Sequence, residues 1–191
     1  MKQTYTITQE ELVAKTPRME IVKRTLAASP TDQFTHTIVK SEPSIATIIR
    51  KDNQIAFICQ LRSTTNQYYI EIPAGLRNPG EENMIDVAKR EVREETGYLV
   101  KDVELLVKGP SLLDPSKSNE DFGVAVATVC GQKSRCLDDN ERIDSQIIWL
   151  DEEEVFVRLR EQMKDGKPFY DGLFLSGHTI YALLAYSFLR R

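Results

Sequence analysis

The stretch PAGLRNPGEENMIDVAKREVREETG, residues 73–97, constrains this chain more than any other. It opens with Pro73, Gly75, Pro79 and Gly80. These break regular structure, and the glycines let backbone come close to a ligand. It then runs straight into apolar residues at helical spacing: Ile85, Ala88 and Val92. Asn83 is a good N-cap, with Asp86 at the third helical position in the manner of a capping box, and Gly97 ends the run. The spacing predicts a helix over 83–96 with Ile85, Ala88, Val92 and Thr96 facing a core.

The same helix carries Glu91, Glu94 and Glu95. At about 100° per residue they share an arc of roughly 100°, and carboxylates at this spacing repel by about 0.2–0.5 kcal/mol per pair. A hard divalent cation reverses the sign, because it takes carboxylate oxygens as ligands. Considered alone, the run reads as a solvated charged face, with Lys89, Arg90 and Arg93 interleaved and Arg90–Glu94 an i,i+4 ion pair. The glycine loop before it shifts the weight. A strand end, that loop and a helix start bring backbone amides and carboxylates into one small volume, which suits phosphate and metal together.

The 191 residues are enough for one domain with a small appendage and a full core. A formal net charge of −4 argues against general nucleic-acid or anionic-membrane binding, which need a basic face. A phosphate-bearing substrate would therefore need local Arg or Lys, or a bound cation. Cys59, Cys130 and Cys136 form no CxxC, so a zinc site is not expected, and Cys59 and Cys130 read as small buried hydrophobes within strands. The first residues lack the apolar core of a signal peptide and no apolar run has transmembrane length, so a reduced, cytoplasmic setting is expected.

Around the loop and helix, strand-like runs lie at 44–50, 54–62 and 68–73, with KDN as a hairpin turn between the first two. LAASPTDQFTHTIV reads as strand, turn, strand within an otherwise weakly patterned segment. Further strands are expected at 98–109, 122–130 and 146–150, and helices near 151–164 and 176–190. Strands both precede and follow the first strong helix, which argues against a regular doubly wound sheet. The expected class is α+β: an α/β/α sandwich with a mixed sheet over 44–191, and an N-terminal β extension over 1–43 that could serve dimerisation.

Gly75, Arg90, Glu91, Val92, Glu94, Glu95 and Gly97 resemble the box of the Nudix hydrolases. That box reads Gly, five residues, Glu, seven residues, then Arg-Glu-aliphatic-any-Glu-Glu-any-Gly. Counting back from Arg90 gives Glu82, six residues beyond Gly75 rather than five; choosing Glu81 would instead rotate the helix face, so the insertion is placed in the loop. The resemblance implies that Glu91 and Glu95 are the main ligands of Mg²⁺ or Mn²⁺, with Glu94 assisting and the Ala74 carbonyl completing the site. Arg90 would orient these carboxylates through charge-assisted bonds.

EIPAG (71–75) and QLR (60–62) resemble the ADP-ribose and ADP-sugar pyrophosphatases within that family. This implies substrate contacts from Arg62, Glu71 and Glu120, and a general base from the acidic loop 137–143, Glu141 first and Asp139 second. It also implies a homodimer built through the N-terminal sheet. Tyr5 and Phe34 are aromatics there that could stack a base, though isolated aromatics in strands usually serve packing. The expected activity is metal-dependent cleavage of ADP-ribose or a related ADP-sugar to AMP and a sugar phosphate. The alternatives are hydrolysis of another nucleoside diphosphate sugar such as GDP-mannose, or a non-catalytic ADP-ribose sensor. His36 and His178 show no sequence partner for a nucleophilic triad.

Overall fold

The structure, a computed structural model, describes residues 3–78, 80, 83–107, 111–137, 141–144 and 146–190. They fall into two compact units, one of Met1–Pro43 with Pro110–Phe122 and the other of Ser44–Gly109 with Gly123–Arg191.

The first unit is an antiparallel meander of β1 (Thr6–Lys15), β2 (Met19–Ser29) and β3 (Asp32–Ser41). The strand–turn–strand pattern around Pro30 is β2–β3, as the sequence implies. The weakly patterned residues before it form β1, which is exposed along its whole length and so lacks the alternation that marks a half-buried strand. Cross-strand ion pairs from Glu10 to Arg24 and Lys40 lace one face. The segment 111–122 joins this unit through Val39, whose N–H donates to Lys117 O at 2.7 Å and whose carbonyl accepts from Asn119 N at 3.2 Å. Tyr5 and Phe34 pack edge to face, with centroids 5.4 Å apart.

The second unit carries a seven-stranded mixed sheet. Its strands are β4 (Ser44–Lys51), β5 (Gln54–Arg62), β6 (Gln67–Glu71), β7 (Ala74–Leu76), β8 (Tyr98–Val107), β9 (Phe122–Gln132) and β10 (Ile148–Asp151). The order is β10-β5-β4-β9-β8, with β6 on β5 and β7 on β4. The β4–β5 turn places Asp52 at φ +54°, a left-handed position that Asp tolerates better than most residues. Ile45, Ile48, Ile49, Ile55, Phe57 and Ile58 are wholly buried, so both faces of these central strands are covered.

Three helices complete the unit: α1 (Met84–Thr96), α2 (Glu152–Asp165) and α3 (Gly177–Leu189). The Asn83 side chain accepts from Asp86 N–H, and Gly97 closes α1 in the left-handed conformation. Val87 and Ala88 pack on Ile45 and Ala125, and Val92 packs on Ile49 and Ala56. Each larger apolar side chain buried this way contributes about 1.5–3 kcal/mol. The result is the α+β sandwich expected from the order of strands and helices.

Two local expectations are corrected. Val87, not Ile85, starts the buried stripe of α1; Ile85 is only half-buried, and Glu91 and Glu95 continue that stripe. Cys130 is exposed, because the outer half of β9 alternates with one face open to solvent, and Cys59 on β5 is half-buried.

Candidate active site

β7 sets the site. Its three residues were read from sequence as loop, too short for any period to show, yet they pair with β4 as Ser44–Leu76, Ile45–Gly75 and Ala46–Ala74. That pairing lays the chain against α1. Ala74 N–H donates to Glu95 Oε2 at 3.2 Å. Gly75 lies so close to the helix that a Cβ there would fall 1.9 Å from Glu91 Oε1.

Arg90 braces the other side. Its Nη1 donates to Glu91 Oε1 at 2.7 Å and Glu94 Oε2 at 3.0 Å, while Nη2 donates to Leu76 O at 2.9 Å. One planar guanidinium thus ties two helix carboxylates to β7. Glu94 faces outward, shared between Arg90 and Arg93.

Glu91 and Glu95 are 4% and 1% exposed, and oxygens of Glu91, Glu95 and Glu141 lie within 4.8 Å of one another. Burial pushes Glu91 up to about 7, against the pull of Arg90 and with the help of Glu94 and Glu141. Glu95 is raised well above the usual carboxylate range, first by burial and then by Glu91 and Glu141. Two unit charges at such a separation repel by about 3–4 kcal/mol at an effective dielectric of 20. A solvated helix face does not look like this. An all-oxygen donor set of two buried carboxylates and one half-buried one, with a glycine where any side chain would intrude, fits a hard divalent cation.

Beside this cluster Arg62 forms a bidentate pair with Glu71, Nε to Oε1 at 3.0 Å and Nη2 to Oε2. Burial opposes the Arg62 charge, but Glu71, then Glu95 and Glu141, hold its pKa above the ordinary value. Glu71 is 1% exposed and holds Arg62 through this pair. His178, which lacked a partner in the sequence, has Nε2 3.7 Å from Glu71 Oε2 and its ring beside Ser176 Oγ. This does not make a nucleophile of Ser176, whose hydroxyl donates to Thr179 Oγ1 at 3.1 Å. Burial lowers the His178 pKa, while Glu71 opposes that shift.

The structure therefore brings Glu91, Glu95 and Glu141 together, with Arg90, Ala74, Gly75 and Arg62 around them. Glu94 stands outside the three-acid group. Glu120 belongs to the first unit, where its N–H donates to Ser118 Oγ at 3.0 Å. Glu82 and Asp139 lie outside the described residues.

Comparison with known proteins places the chain. The NUDIX domain family matches residues 40–173, and the chain belongs to that family. It is an enzyme of the Nudix pyrophosphatase class. A methanol dehydrogenase activator from Bacillus methanolicus is 31% identical over 133 residues, covering 68% of this chain and 70% of that protein. A solved structure described as an ADP compounds hydrolase superimposes with a TM-score of 0.73 over 97% of this chain and 93% of its own, at 19% identity. At that identity the likeness speaks for the fold.

Proposed function

We propose that this Nudix enzyme hydrolyses the pyrophosphate bond of ADP-ribose or a related ADP-sugar, giving AMP and a sugar phosphate, with Mg²⁺ or Mn²⁺ as its cation. The observation that carries the proposal is the Glu91–Glu95–Glu141 cluster against Gly75, with Glu91 and Glu95 buried and Glu141 half-buried. In this reading Glu91 and Glu95 hold the cation, with the Ala74 carbonyl and Glu94 assisting. A bound divalent cation offsets phosphate charge and makes a water nucleophilic.

Each remaining step falls to a side chain of this protein. Arg90 fixes the rotamers of Glu91 and Glu94. Arg62, held by Glu71, offers its guanidinium to the substrate phosphates. Glu141 takes the proton of the attacking water as general base. Glu120 is retained as a substrate contact on the strength of the motif resemblance alone. The adenylate preference is supported by EIPAG and QLR, and by the name of the solved structure sharing the fold.

We extend the proposal to a homodimer built on the β1–β3 sheet, whose exposed Ile7, Leu12, Val13, Met19 and Phe34 offer apolar surface to a partner. A reduced, cytoplasmic setting is supported by three free thiols.

The test is a panel of nucleoside diphosphate sugars incubated with Mg²⁺, products identified by mass, wild type beside Glu95→Gln. AMP and ribose 5-phosphate from ADP-ribose, lost in the variant, is the expected result. Cleavage of GDP-mannose instead would move the substrate, and binding without cleavage would make the protein a sensor.

A further inference from the structure

Glu141 joins the acidic cluster from beside β5, to which the backbone of Arg142, Ile143 and Asp144 is held. Leu61 N–H donates to Arg142 O at 2.9 Å, Asp144 N–H donates to Cys59 O at 2.8 Å, and Ile143 forms an isolated bridge with Gln60. Those bonds fix the segment relative to the sheet. The helix α1, which carries Glu91 and Glu95, packs on the same sheet through Val92, Ile49 and Ala56.

The Arg135 side chain bonds to both segment and helix. Arg135 Nε donates to Glu95 O at 2.6 Å, and Nη1 of the same guanidinium donates to Asp144 O at 2.8 Å. Its neighbours finish the end of α1: Cys136 N–H donates to Glu94 O, and Lys133 N–H donates to Gly97 O at 2.7 Å. Gly97 is required for that approach, since a Cβ there would stand 2.5 Å from Lys133 O. The carbonyls that a helix leaves unpaired at its C-terminus are thus met by the 133–136 segment, with a cation where the helix dipole favours one.

From this geometry we infer that Arg135 is the positioning residue that clasps the Glu141 segment to the acidic helix. It touches neither substrate nor cation. It acts by tying the Asp144 end of the Glu141 segment to the end of α1 that carries Glu95. Two carbonyls on two separate segments accept from two nitrogens of one rigid plane, an arrangement a single ammonium cannot reproduce. The inference rests on the proposed role of Glu141 and extends it to the residue that makes that role geometrically available.

The test compares Arg135→Met, Arg135→Lys, Glu141→Gln and the double variant Arg135→Met/Glu141→Gln, each with kcat, KM and amide hydrogen exchange. Arg135→Met is expected to lower kcat about 10- to 100-fold with KM little changed, in the range seen when outer-shell partners of a metal site are removed. The double variant should match Glu141→Gln alone within about twofold, since residues acting as one unit do not add. Arg135→Lys should fall between, and it carries the test if the methionine variant does not fold. The amides of Leu61 and Asp144 should exchange faster in Arg135→Met while those of residues 49–56, where β4 pairs with β5, keep their protection. Full kcat in Arg135→Met, a fully additive double variant, or unchanged exchange at Leu61 and Asp144 would each overturn the clasp. If wild type cleaves no sugar in the panel, the substrate proposal fails and the exchange result alone decides on Arg135.

Discussion

Gly75 and Glu91 are in direct steric competition: the space a Cβ would fill on Gly75 is occupied by the Glu91 carboxylate, 1.9 Å away. The β4–β7 pairing fixes Gly75 and the Arg90 bond fixes Glu91, so neither yields easily. A glycine here answers a need for room beside an acid.

Gly75→Ala should therefore act on the site more than on the fold. A forced methyl in a packed place costs about 1–3 kcal/mol, and the easiest relief is rotation of Glu91 out of the cluster. The expected result is a folded protein with a far larger loss in Mg²⁺ affinity than in thermal midpoint. Calorimetric Mn²⁺ titration beside a melting curve checks it; unaltered cation affinity would remove Gly75 from the site.

Arg90→Lys keeps the charge and loses the fork. Lysine has one nitrogen, whereas Arg90 meets Glu91 and Glu94 from Nη1 and Leu76 O from Nη2, so the tie between the helix carboxylates and β7 is lost. Activity should fall about 10- to 100-fold with KM for the nucleotide sugar little changed, because Arg90 faces the carboxylates. A rise in KM alone would instead put Arg90 on the substrate. Steady-state kinetics at saturating Mg²⁺ separates the two.

The two buried acids also give cation removal a pH signature. Glu91 is raised from 4.5 to about 7, and burial raises Glu95 well above the usual carboxylate range, so the folded state binds these protons more tightly than the unfolded chain does. Stability from a raised carboxyl is fully present below the unfolded pKa and is lost as pH climbs through the folded one. With EDTA the protein should melt higher at pH 5 than at pH 7.5. Glu91 alone accounts for something on the order of 3 kcal/mol. Saturating Mg²⁺ should erase or reverse that slope, since ligands bind it deprotonated. Melting curves across pH with and without cation measure it; a flat EDTA profile would mean the acids are not held as described.

What could be read beforehand, and what could not, follows from the range of the interactions. Asn83, Asp86 and Gly97 are local caps, and the helix between them was legible to within a residue. The β4–β5 hairpin was legible for the same reason, through its KDN turn. The acid triplet was visible as chemistry, and the family resemblance ranked Glu91 and Glu95 ahead of Glu94; helical spacing alone did not, and packing on β4 and β7 is what turns Glu91 and Glu95 inward while Glu94 stays with Arg90 and Arg93. β7 is too short to carry a period, and β1 is exposed on both faces, so neither leaves a pattern. His178 beside Glu71 and Arg135 between Glu95 and Asp144 are contacts across 40 residues or more, or between segments with no motif of their own, and nothing local announces them.

The last prediction concerns Arg62 and Glu71. Their bidentate pair buries Glu71 almost completely and leaves Arg62 the more exposed partner, which suits a carboxylate that aims a guanidinium. Glu71→Gln keeps the shape, removes the charge and sets an amide N–H₂ against guanidinium donors. A lost hydrogen bond to a charged group is worth about 1.5–3 kcal/mol, so KM for ADP-ribose should rise by roughly 10- to 100-fold. His178 would keep its place through Ser176. Arg62→Lys should show the same shift in KM, and combining the two should add little, because both remove one aimed group. If Glu71→Gln lowers only the melting temperature and leaves KM alone, the pair is a brace for β5 and β6 and Arg62 does not meet the phosphates.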